Sequence, residues 1–214
     1  MNDIAAADRY LVVGVICLGS FLSPLSMASV TMAIPAMASA LAADAVSVSL
    51  LPTVFLLSNV MFMLPAAKLA DNFGRKRLFA CGIAINAVAS MLAFWAPDIN
   101  WVLLLRFVQG AGSAMVFSTS LAILTSVFPA SERVLPLGLN TAAVYLGLTV
   151  APALGGLLTD TLGWRSVFLL PVPAAAVLLT VIATRLRAEW RHERHSPFDW
   201  VGAILFAAWA VALV

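Results

Sequence analysis

The sequence predicts an all-α integral membrane protein of six complete spanning helices and the start of a seventh. Of its 214 residues, 63% are hydrophobic and 10% are charged, and the mean hydropathy is +1.03. A water-soluble domain carries about 45–50% apolar and about 25% charged residues. The charges bunch between long uncharged runs, the pattern of apolar spans joined by short polar loops. Those runs do not alternate, so they suit helices rather than the roughly 10-residue strands of a barrel. Soluble enzymes, nucleic-acid-binding domains and disulfide scaffolds are excluded at this step.

Taken in order, the spans fall at 10–37, 46–67, 78–96, 101–128, 134–158 and 167–184. Residues 1–184 therefore form the bundle, 185–199 a short cationic linker, and 200–214 the beginning of a seventh span. That last run stops at Val214 after about 15 residues, short of the about 20 needed to cross, so the chain reads as the front part of a longer one. Orientation follows from the cations, which concentrate in cytoplasmic loops. The amino-terminal tail and the even-numbered connections hold Arg9, Lys68, Arg75, Lys76, Arg77, Arg133, Arg185, Arg187, Arg191 and Arg194, while the opposite connections hold only Arg165. The amino terminus is thus expected in the cytoplasm. Span one exceeds the roughly 7–15-residue core of a signal peptide, and its leader sets Asp3 and Asp8 against Arg9, so it is expected to stay. Cys17 and Cys81 fall within spans and read as small hydrophobes, and His192 and His195 as solvated loop residues. No cofactor or metal is expected.

The densest polar cluster of the first half runs Ala67-Lys68-Leu69-Ala70-Asp71-Asn72-Phe73-Gly74-Arg75-Lys76-Arg77. Gly74 permits a tight reversal, Asp71 lies one turn before Arg75, and three consecutive cations meet the membrane face. From composition alone this is a topology-setting loop facing anionic lipid. Span four carries Arg106, with Gln109 and Ser113 on the same helical face. A cation inside a span costs about 2.5–3.5 kcal/mol and ordinarily faces a protein interior or a wet cavity. The alternative is snorkelling, because Arg106 is roughly 7–8 Å from the span's outer edge at 1.5 Å per residue. No carboxylate lies in any span to pair with it. In span five, Gly147, Ala151 and Gly155 recur every four residues, a groove for close helix approach, and Pro152 is expected to bend the helix.

Residue order carries more than composition. Leu69-Ala70-Asp71 with Gly74-Arg75-Lys76 resembles the loop signature of the major facilitator superfamily, although Ala67 and Asn72 depart from it. Arg106-x-x-Gln109-Gly110-x-Gly112 resembles a second signature of that superfamily, and Gly147 to Gly156 the antiporter signature, with Ala151 replacing one Gly. Ser26 stands where the antiporter subfamily has an Asp in span one, and Trp164-Arg165-Ser166-Val167-Phe168 is close to the start of span six in 14-span drug antiporters.

This resemblance implies an amino-terminal six-helix bundle of a major facilitator fold, built from two inverted three-helix repeats. It implies that Asp71, Gly74, Arg75 and Lys76 form a cytoplasmic gate loop, that Arg106 takes part in proton coupling, and that Gly147, Ala151, Pro152, Gly155 and Gly156 pack against a second half. The substrate and proton path then falls to Arg106, Gln109, Ser113, Ser26, Asn59 and Tyr145, with Ser23, Thr31 and Asn140 as further candidates. The implied function is secondary transport, a proton-coupled exporter of drugs or small metabolites in the inner membrane. Its partners would be a small-molecule substrate, the proton, the bilayer and the missing carboxy-terminal half, with no nucleic acid. A transport-inactive scaffold or receptor, or a half-transporter acting as a homodimer, is the alternative. A membrane enzyme would need clustered catalytic groups at one face, which the sequence does not offer.

Overall fold

The computed structural model describes residues 6–186 together with Gly202, Phe206 and Trp209. Seven α-helices make up this part: α1 Ala6–Ala40, α2 Ala45–Phe73, α3 Arg75–Phe94, α4 Ile99–Val127, α5 Val134–Leu162, α6 Ser166–Leu169 and α7 Val172–Arg185, with one 3-10 turn at Ala130–Glu132. Helices α1 to α5 are each long and apolar enough to cross a membrane, and α6 and α7 together make the sixth span, Ser166–Arg185. The expected linker at 185–199, with His192 and His195, and the seventh span from Trp200 lie outside the described residues, apart from Arg185 and Leu186 and the helical positions Gly202, Phe206 and Trp209.

Two elements differ from the hydropathy reading. Helices α2 and α3 run on through the expected loop until only Gly74 separates them, with φ 109° and ψ 133°, a conformation that glycine adopts without Cβ strain. Ala66, Ala70 and Leu78 pack together beneath that turn, so protein contact rather than lipid sustains the extra turns. Span six is split at Leu170 and Pro171, whereas α5 passes through Pro152 unbroken. Pro171 and Pro173 remove two backbone donors within one turn, while Pro152 removes one from a long helix.

The helices pair in two matching ways. Helices α1 and α5 run parallel, with Gly147 against Phe21 and Gly155 against Ser29. Helices α2 and α4 also run parallel, with Leu51 beside Arg106 and Asn59 beside Gly110. Exchanging the first and second three spans turns one pair into the other, the relation expected of two inverted repeats. Helix α3 lies antiparallel to α4, and there Gly82 and Gly112 face each other so closely that a Cβ on either would meet the other's carbonyl oxygen at 2.6 or 2.8 Å.

Several charges sit at helix ends, where they complement the backbone. Asp98 accepts hydrogen bonds from the Asn100 and Trp101 amides at 2.9 and 3.0 Å and caps α4. Asp44 caps α2, and its contact with Ser47 holds the carboxyl below the usual carboxylate range. Arg133 donates to the Thr125 and Phe128 carbonyls at 2.7 and 2.9 Å, closing the other end of α4. Arg165 donates to Ala96 O just past α3 at 3.2 Å and stacks over the Trp164 ring at 4.2 Å. Arg9 pairs with Glu132 at 3.7 Å, which puts the amino-terminal end and the α4–α5 connection on one face.

Candidate functional site: a buried arginine between α1, α2 and α4

Arg106 is 1% exposed, so its guanidinium does not snorkel to the interface. Its Nε donates to Leu51 O of α2 at 3.4 Å, and Nη1 donates to Ser26 O of α1 at 3.5 Å and to Gln109 Oε1 at 3.1 Å. The Phe55 ring lies 4.5 Å from the guanidinium carbon and covers one face. Nη2 is buried and has no hydrogen-bond partner among the described residues. Close approach makes this geometry: a Cβ on Gly110 would collide with the Phe55 carbonyl and meet Ser58 Cβ at 2.7 Å. Ser58 then donates to Phe107 O at 2.6 Å and Asn59 to Gly110 O at 3.5 Å.

Behind the arginine runs a polar chain to α3. Gln109 Nε2 donates to Ser90 Oγ at 2.8 Å, and Asn86 Nδ2 donates to Gln109 O and Ser113 Oγ at 3.3 and 3.2 Å. Arg106, Gln109 and Ser113 thus come together, with the backbone of Ser26. Asn86 and Ser90, which sequence reasoning did not select, complete the group. Their signal was a polar pair one turn apart within an apolar span. Tyr145 is 63% exposed on α5 and does not join the buried group. Ser23 is buried, Thr31 is exposed, and Asn140 is buried with Oδ1 unpartnered among the described residues.

The other expected groups separate from this site. Asp71 and Arg75 form an ion pair at 3.0 Å, and Arg75 also donates to Ala122 O at 2.9 Å and Ser126 Oγ at 2.5 Å, tying the α2–α3 turn to the end of α4. Lys76 donates to Leu186 O at 2.9 Å. Gly147, Ala151 and Gly155 face α1, where a Cβ at either glycine would stand 2.5 Å from a carbonyl oxygen, while Gly156 meets nothing within 4 Å. Most of the small-residue stripe is therefore occupied within this bundle. Among the described residues no group of His, Cys, Asp and Glu could hold a metal ion.

Comparison with known proteins matches this arrangement to one family. The sequence profile of the Major Facilitator Superfamily matches residues 16–213. The chain is 38% identical over 159 residues to the multidrug resistance protein Stp of Mycobacterium tuberculosis, 74% of this chain and 29% of that protein. It is 36% identical over 155 residues to the drug efflux pump JefA of the same species, 71% and 30%. It is 27% identical over 201 residues to the riboflavin transporter RibZ of Clostridioides difficile, 94% and 44%. Among solved structures, a bacterial homologue of the human lysosomal transporter Spinster superposes with TM-score 0.79 at 18% identity, covering 92% of this chain and 47% of that one. The proton:xylose symporter XylE gives 0.76 at 14%, covering 85% and 45%. In each case the chain spans less than half of its relative. The profile match, the drug-efflux relatives and the six-span bundle agree: this chain is an integral membrane protein and belongs to the Major Facilitator Superfamily.

Proposed function

We propose that this chain is the amino-terminal half of a secondary transporter of the 14-span kind, which exports drugs or small metabolites by alternating access with the proton as coupling ion. The observation that carries the reading is Arg106, a fully buried cation held by three helices, a placement too costly to keep for packing alone. The relatives named as multidrug and efflux proteins support the substrate class. Exposure supports a second half. Only 22% of the most apolar stretch of α2 and 17% of that of α5 is buried, against 67% in α1 and 56% in α4, so the two symmetry-related helices α2 and α5 present bare faces for one.

Substrate would bind between the halves, with Arg106, Gln109, Ser113, Ser26 and Asn59 behind one wall and Tyr145 on the exposed face of α5. Asp71, Gly74, Arg75 and Lys76 would gate the cytoplasmic side, and Gly156 with Pro152 would meet the second half. The cation pattern supports a plasma-membrane protein with its amino terminus in the cytoplasm. The described acids lie in loops or at helix ends rather than beside Arg106, so proton uptake is assigned to groups in the second half. The test is Arg106→Ala in the full-length protein, assayed for efflux in cells and vesicles: transport is expected to be lost, and wild-type rates would overturn the assignment. A transport-inactive scaffold draws on Ser26 in the usual acid's place, and absence of gradient-driven flux from the wild type would favour it.

A further inference from the structure

We propose that Arg106 is the receptor for one negative charge carried in by a solute, a halide or a carboxylate, in the place where an acidic side chain would otherwise stand. The proposal deepens the transport reading and rests on it only for the route by which the solute arrives. Its ground is the hydrogen-bond inventory of the guanidinium. Arg presents five N–H donors in a fixed planar fork and accepts nothing. Here Nε and Nη1 reach two backbone carbonyls and an amide oxygen, all neutral, and Nη2 is buried with no partner among the described residues.

Among the described residues no ion pair reaches Arg106. Asp44, Asp71, Asp98, Glu132 and Asp160 lie in loops or at helix ends. A desolvated cation with neutral partners and an open donor edge bears a large electrostatic penalty, which an anion relieves on both counts. The amide beside it cannot substitute. Gln109 Nε2 is engaged by Ser90 Oγ at 2.8 Å, which orients the amide oxygen towards Arg106, and Asn86 is engaged by Gln109 O and Ser113 Oγ. The guanidinium is therefore held firmly on its α3 side while Nη2 stays unfilled. One monoanion neutralises the site, whereas a dianion would leave a net charge in the bundle. The two N–H groups of Nη2 suit a halide or one edge of a carboxylate.

Ser26 supplies the test. It is 2% exposed, and its own carbonyl touches Nη1, so Ser26→Asp sets a carboxylate within reach of the guanidinium as a built-in competitor for the solute anion. The full-length protein in detergent is unfolded thermally at equal ionic strength in sodium isethionate, chloride and acetate. The wild type is expected to gain about 3 °C or more in Tm in chloride, in acetate or in both, relative to isethionate. Ser26→Asp is expected to be the more stable protein in isethionate and to lose that gain. A gain in chloride alone assigns the charge to an inorganic halide, and a gain in acetate assigns it to the carboxylate of a substrate. Equal Tm values in all three salts, or an undiminished gain in Ser26→Asp, overturn the proposal. A salt response that Ser26→Asp abolishes, in a protein that moves no solute in vesicles, upholds the anion site and refutes the transport reading.

Discussion

The seams α2/α4 and α1/α5 are one arrangement built twice, and their chemistry is opposite. Both join parallel helices, and in both a glycine on the later helix rides on a carbonyl and a serine of the earlier one: Gly110 on Phe55 and Ser58, Gly155 on Ser29. In the first seam the serine reaches across, Ser58 donating to Phe107 O at 2.6 Å, and Arg106 and Asn59 add further bonds between the helices. In the second, Ser29 turns back to Ser26 O of its own helix at 3.4 Å, and among the described residues no side-chain hydrogen bond joins α1 to α5. Close backbone approach is thus sufficient to hold a parallel pair in a bundle, by van der Waals packing of small residues. The polar groups of α2/α4 are surplus to that task, which is why function is sought there.

The largest effect expected from this comparison comes from filling each glycine. Gly110→Val and Gly155→Val both force a side chain onto a backbone carbonyl that cannot move aside, and each is expected to cost about 1–3 kcal/mol. Gly138→Val, at an exposed position on α5 where a Cβ meets nothing within 4 Å, serves as the control and should fold like the wild type. Equal losses of thermal stability in the two seam variants are expected, with transport falling further in Gly110→Val because that change also displaces Phe55 and Leu51 from Arg106. Undiminished transport in Gly110→Val beside a loss in Gly155→Val would reverse the division of roles.

How far these features were legible in the sequence follows from what each leaves behind. The six spans were readable because burial in lipid demands apolar side chains along a whole helix. The extension of α2 and α3 to Gly74 was not, because Ala66, Ala70 and Leu78 are buried by protein, and hydropathy measures only lipid. Arg106 stood out because a cation in a span is expensive, and Gln109 and Ser113 followed by helical spacing. Its partners Leu51 and Ser26 act through backbone carbonyls, which have no signature in residue type. Asn86 and Ser90 were visible as polar side chains, but only the antiparallel register of α3 on α4 aims them at Gln109 and Ser113. Tyr145, expected on the path only through the resemblance, is 63% exposed on α5 and stands apart from the buried group.

A smaller effect separates the two serines. Ser58→Ala removes a bond between helices, and interhelical hydrogen bonds in membranes are worth about 0.6 kcal/mol on average, with a maximum near 1.7. Ser29→Ala removes only a long contact within its own helix and is expected to change stability less than Ser58→Ala does. Unfolding of both variants in detergent measures the difference directly. If Ser29→Ala were the more damaging, α1/α5 would hold a polar contact that its geometry does not contain.

The smallest effect is expected to have the opposite sign. Asn140 is 6% exposed on the same face of α5 as Gly147 and Ala151, and its Oδ1 has no partner among the described residues. A buried acceptor without a donor contributes nothing and retains its desolvation cost, so an apolar group of the same shape is neutral or better. Asn140→Leu, nearly isosteric, is therefore expected to leave Tm unchanged or raise it by a few degrees, whereas Asn86→Leu, which breaks two bonds to α4, lowers it. Transport sharpens the result. If Asn140→Leu folds well and still loses substrate, its amide serves the solute rather than the seam, and the dry helix pair contains one functional group after all.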